Sequence, residues 1–154
     1  MMRLGLSLAV VIAAADQLSK WAILDFLMDP PRVIELLPFF NMVLVYNRGA
    51  SFGILNISAQ WVPWLLTGIA TIVVAFLVVW LRRADNRYLA SALGLIIGGA
   101  VGNGIDRVLR EQQAVVDFID IYAGAYHWPA FNIADSAIVV GVIILLIDGL
   151  ITRH

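Results

Sequence analysis

Cysteine is absent from the 154 residues of this chain. That excludes disulfides, thiolate metal sites, a cysteine nucleophile and any cysteine-linked lipid on the chain itself. Charge is scarce as well. Asp, Glu, Lys and Arg make up 14% of the sequence, against roughly 25% in soluble domains. The net charge of −1 leaves no basic field to attract nucleic acid. His127, beside Trp128, has no second histidine near it, so it reads as an interfacial residue and a zinc hydrolase is poorly supported. No metal or cofactor is implied.

What fills the sequence instead is apolar: 62% hydrophobic residues and a mean hydropathy of +0.91. The expected class is an all-α integral membrane protein, and the length suits one domain over residues 1–154. A spanning helix needs about 20 mostly apolar residues. Four segments qualify, at about Leu4–Leu27, Val62–Leu81, Tyr88–Ile105 and Ile133–Ile151. The first opens like a signal peptide, with Arg3, an apolar run and alanines at 13–15. Its apolar pattern resumes at Trp21–Met28, which favours a span.

Four spans put both termini on one side. Arg3, Arg82, Arg83, Arg87 and Arg153 share it, three of them in the short link "RRADNR", so the positive-inside rule makes that side cytoplasmic. Opposite lie two longer segments, about 29–59 and 109–130. "NMVLVYN" and "VVDFIDIY" within them read as short strands, a small β-like extracytoplasmic cradle, with Trp61, Trp64, Tyr122, Tyr126 and Trp128 as an interfacial belt.

The polar residues gather at that same level. Asn103, Asp106 and Arg107 end span three on one helical face. Asn132 and Asp135 open span four, and Asp117 and Asp120 lie between them in sequence. Two carboxylates sharing one water form a hydrolytic device: one takes a proton from water while the other, protonated, polarises the scissile carbonyl. Spacing leaves open whether Asp117 or Asp120 partners Asp135.

Plainer readings compete. Asn132 suits a helix N-cap with Asp135 at N3, and that role is compatible with catalysis. Gly94, Gly98 and Gly102 form a helix-packing stripe. Asp106 and Arg107 suit an interfacial salt bridge. Asp16 and Lys20, four apart, read as a structural ion pair tying span one to a neighbour or to the cytoplasmic half. A proton-coupled transporter or relay would use Asp16, Lys20, Asp106 and Asp135 as a path, but spans two and four carry almost no ions at mid-depth. A serine-type peptidase fails because Lys20 is expected near mid-membrane, far from Ser136.

Five stretches, "DQLSKW", "NRGASFGI", "GGAVGNGIDR", "VVDFID" and "FNIADSAIVVG", stand in an order and spacing that resemble the lipoprotein signal peptidase family, bacterial signal peptidase II. The resemblance runs across nearly the whole chain. It implies an aspartic endopeptidase of the bacterial inner membrane, with both termini cytoplasmic and its site near the outer surface. The implied enzyme cuts prolipoproteins just before a diacylglyceryl-modified cysteine. The implied dyad is Asp117 and Asp135, with Asn47, Asn103, Asp106, Arg107 and Asn132 shaping the substrate site. Partners are prolipoproteins and membrane lipid, and a monomer is expected.

Overall fold

A computed structural model describes residues 1–49 and 61–151. The Ala50–Ile54 part of "NRGASFGI", the rest of the outer segment to Ala59, and Arg153 lie outside the described residues.

Four helices among the described residues are long and apolar enough to cross a membrane. Helix α1 (Met2–Ala22) continues as a π-helical turn, Ile23–Leu27. Helix α2 (Val62–Leu81) carries Pro63 in its first turn, where an absent N–H costs nothing in helical bonding. Helix α3 (Arg87–Leu109) starts where the Asn86 side chain caps it by accepting the Leu89 N–H at 2.9 Å, and it runs on past the apolar stretch to Leu109. Helix α4 spans Ile133–Ile151.

The helices alternate in direction. At one end Gly5 of α1 meets Leu81 of α2 and Ala90 of α3, and Asn86 donates to Asp148 of α4 at 3.4 Å. This end carries Arg82, Arg83 and Arg87 in the α2–α3 link. At the other end Asp16, Gly102 and Ala134 converge. Helix α3 is the centre of the bundle, with Ala90, Leu93, Gly94, Ile97 and Gly98 all buried. The glycines allow this. A Cβ on Gly94 would lie 2.5 Å from the Gly5 carbonyl oxygen, and one on Gly98 2.6 Å from that of Ala9. Small residues thus let two backbones approach closely, which drives helix association where lipid already satisfies apolar surface. The outer faces of α2 and α4 stay apolar and exposed, as at Ile72, Phe76, Leu146 and Leu150.

The fold is not all-α. Strands β1 (Ile34–Leu37), β2 (Phe40–Asn47), β3 (Val115–Ala123) and β4 (Tyr126–His127) form one antiparallel sheet in the order β1-β2-β3-β4. The β-branched runs seen in the sequence supply its two long strands. In the β2–β3 register Asn41 faces Asp120 and Val45 faces Asp117, with an irregularity between Met42 and Val45. Ile23 and Met28 from the end of α1 pack with Val116 and Phe118, so the sheet sits on the bundle end opposite the arginines.

Candidate active site

Asp117 enters the site from β3 and Asp135 from the first turn of α4. Asn132 links them. Its side-chain Nδ2 donates to Asp117 Oδ1 at 2.7 Å, while its backbone N–H donates to Asp135 Oδ2 at 3.2 Å. In return the Asp135 N–H donates to Asn132 Oδ1 at 2.9 Å. This reciprocal pair is a capping box, so the cap read from "FNIAD" is present. It occupies only one carboxylate oxygen. Asp135 Oδ1 accepts a separate hydrogen bond from Asn103 Nδ2 at 2.7 Å.

Asp117 is fixed from the opposite direction. Asn47, the last residue of β2, donates to Asp117 Oδ2 at 2.9 Å. The same Asn47 accepts the Gly49 N–H at 2.8 Å, closing a turn in which Gly49 has φ +103°, a conformation open to glycine. Burial pushes the Asp117 carboxyl up to about 6. The hydrogen bond from Asn47 opposes that rise, the nearby Asp135 charge adds to it, and the Asn132 hydrogen bond and the Lys20 charge pull it back.

Asp120, the alternative partner, is turned elsewhere. It accepts from Asn41 Nδ2 at 3.1 Å and lies 2.9 Å from His127 Nδ1, whose ring stacks on Tyr122. Residues three apart on a strand point to opposite faces. Asp117 and Asp120 therefore serve different surroundings. Among the described residues no group of three or more His, Cys, Asp or Glu is gathered to hold a metal ion.

Asp135 also opens onto a cavity of about 380 Å³, whose other walls are Trp128, Phe131, Ser136, Val139 and Val140. A carboxylate at the mouth of a largely apolar, membrane-level cleft suits a substrate with an apolar segment beside the reacting bond. A second apolar cavity, about 410 Å³, lies between α2 and α3 and contains none of these carboxylates.

Two expectations need correction. Asp106 does not pair with Arg107 among the described residues. It binds Lys20 at 2.7 Å and Arg110 at 2.8 Å, because i, i+4 spacing from Asp106 reaches Arg110 on the helix face. Arg107 Nη1 instead donates to the Asn103 carbonyl at 3.4 Å. Lys20 does pair with Asp16, at 2.8 Å, and ties α1 to its neighbour α3, but at the sheet end and not at the arginine end. Its ammonium reaches Asn103 Oδ1 at 3.0 Å, at the sheet end. Gln17 was missed altogether; its side chain donates to Asp106 Oδ1 and to the Gly102 carbonyl, both at 3.0 Å. Its place between Asp16 and Lys20 was the available signal.

Fold and site together define a four-span membrane protein with paired carboxylates at one bundle end. The family model described as signal peptidase (SPase) II matches residues 8–151. A lipoprotein signal peptidase of Cupriavidus taiwanensis is 45% identical over 150 residues, 96% of this chain and 82% of the relative. One of Vibrio cholerae is 44% identical over 145 residues, 92% of this chain and 84% of the relative. A bacterial membrane enzyme solved by the in meso method at 2.3 Å resolution superposes with a TM-score of 0.81 at 34% identity, covering 97% of this chain and 89% of that one. The chain belongs to the signal peptidase II family.

Proposed function

We propose that this chain is an aspartic endopeptidase that removes the signal peptide from prolipoproteins, cutting just before a diacylglyceryl-modified cysteine, with Asp117 and Asp135 as its catalytic dyad. The observation that carries the reading is the shared hold of Asn132 on both carboxylates, with Asp135 at the mouth of the apolar cleft. In this reading Asp117, whose burial favours the protonated form, donates its hydrogen bond to the scissile carbonyl oxygen. Asp135, aimed by Asn103, accepts a proton from water as the water oxygen bonds to the carbonyl carbon. The tetrahedral intermediate then collapses: the C–N bond breaks, a proton passes to the leaving amine of the cysteine, and the signal peptide departs with a new carboxyl group.

Asn47, Asn103 and Asn132 hold the dyad, while Asp106 and Arg107 order the end of α3 beneath it. The arginine end faces the cytoplasm with both termini, and the sheet end faces outward from a bacterial inner membrane, where lipid and water both reach the cleft. The enzyme acts as a monomer, and its substrate enters from the membrane plane. A mobility-shift cleavage assay tests this with a diacylglyceryl-modified precursor and its unlipidated form. Cleavage of the lipidated precursor alone, unaffected by a metal chelator, is expected. Equal turnover of the unlipidated form would remove the lipid requirement.

A further inference from the structure

The ion cluster of "DQLSK" has no part in the steps above. Lys20 is fully buried, and its ammonium offers three N–H donors and no acceptor. Three acceptors meet it: Asp16 Oδ2 at 2.8 Å, Asp106 Oδ2 at 2.7 Å and Asn103 Oδ1 at 3.0 Å. Each leads by one further bond to a member of the dyad or to the residue just before one. Asp16 Oδ1 accepts the backbone N–H of Ala134, the residue before Asp135, at 3.1 Å. Asp106 Oδ2 accepts the backbone N–H of Val116, the residue before Asp117, also at 3.1 Å. Asn103 Nδ2 donates to Asp135 itself.

The third path also sets an orientation. A side-chain amide has an oxygen and a nitrogen of similar shape, and its partners decide which way it faces. An ammonium only donates, so it draws Asn103 Oδ1 inward and turns the amide N–H toward Asp135. Asn132 Nδ2 reaches the same oxygen at 3.1 Å, but its two hydrogens are divided among three acceptors, Asp117 Oδ1 and the Val116 carbonyl being the others. The hydrogens of Lys20 are not contested in this way. Gly102 keeps the space: a Cβ there would lie 2.6 Å from Asp16 Oδ2.

We infer that Lys20 is a positioning residue for peptide cleavage, holding the backbone ahead of both aspartates and the amide of Asn103 against Asp135. The inference rests on the Asp117–Asp135 reading. A simple structural ion pair asks only for charge balance, whereas this cluster ends one residue from each member of the dyad.

The charged groups facing Asp117 are Asp135 from α4, Lys20 from α1 and Arg107 from α3. Removing Lys20 deletes one positive charge there and frees the Asn103 oxygen to turn toward Asp135. Both changes disfavour carboxylate, so the acid limb of the rate profile moves to higher pH. Lys20→Met lowers kcat per folded molecule about 100-fold, the scale of a small misplacement of reacting groups. KM stays near the parent value, because the cleft beside Asp135 is walled by Trp128, Phe131, Val139 and Val140. The double variant Asp16→Asn/Lys20→Met removes one charge of each sign and retains an acceptor for Ala134, so it keeps the bundle folded; kcat and the acid limb change in the same directions. Asp117→Asn and Asp135→Asn are assayed beside them. Cleavage surviving in either Asn variant overturns the dyad and this inference with it. Cleavage lost there, while both Lys20 variants match the parent in kcat per folded molecule and in acid limb, overturns the inference alone.

Discussion

The two halves of α3 are held in opposite ways, the first buried along most of its length and the second only along the face that carries Gly102, Asn103 and Asp106. From Ala90 to Gly98 the helix is enclosed by backbone approach and apolar side chains, with Gly94 and Gly98 against the carbonyls of α1. From Gly102 to Arg110 it is enclosed by charges and amides, with Asp106 alone bonded to Lys20, Arg110, Gln17 and the Val116 N–H. Close packing tolerates no added volume, while a buried ion tolerates no lost partner. The first half fixes where α1 lies. The second uses that fixed position to bring charges from α1 up to the elements carrying Asp117 and Asp135.

The comparison breaks most sharply in the polar half. Asp135→Asn, at the α4 partner of Asn103, keeps an oxygen for the capping box; on the proposed mechanism it removes the base, so cleavage falls about 10⁴-fold, the scale seen when one member of a catalytic unit is lost, with folded yield near that of the parent. The gel assay reads it directly. A parent-like rate would reduce Asp135 to a helix cap.

In the packed half, Gly98→Leu forces α1 away from α3 and costs about 1–3 kcal/mol or more by overpacking, measured as a lowered unfolding midpoint in detergent. Gly104→Leu is the control: a Cβ there meets nothing within 4 Å, so the midpoint is unchanged or slightly raised. Similar losses at both sites would mean that the stripe has no packing role.

Asp117 adds a pH signature. Its pKa is raised in the folded state to about 6, so the native protein binds more protons than the unfolded chain between that value and the ordinary aspartate range. This carboxyl's contribution therefore favours the fold at low pH and is lost as pH rises from about 4 to about 6. Thermal unfolding across that interval shows a downward slope with pH that Asp117→Asn flattens. An unchanged slope in the variant would place its origin in other groups.

The smallest effect lies at the arginine end. Asn86→Ala removes the cap of α3 and costs about 1 kcal/mol, without altering cleavage per folded molecule. A selective loss of kcat there would contradict the separation of the two halves.

Hydropathy alone located the four spans, since each depends on a local run of residues and the thickness of a bilayer. The capping box of Asn132 and Asp135 was equally legible, being complete within four residues. The arrangement of charges was not. Asp106 had Arg107 beside it in sequence, yet it binds Lys20, which only the packing of α1 on α3 brings near. Lys20 read as a partner of Asp16 that ties span one to a neighbour or to the cytoplasmic half, and nothing in one helix shows which second helix will meet it. Between Asp117 and Asp120 residue spacing stayed silent, and family resemblance alone favoured Asp117. The structure adds the physical reason: β3 turns one carboxylate toward Asn132 at the bundle and the other toward Asn41 and His127. Local periodicity determines which face a residue shares with its neighbours. Which face meets the bundle is decided by long-range packing, and that packing builds the site.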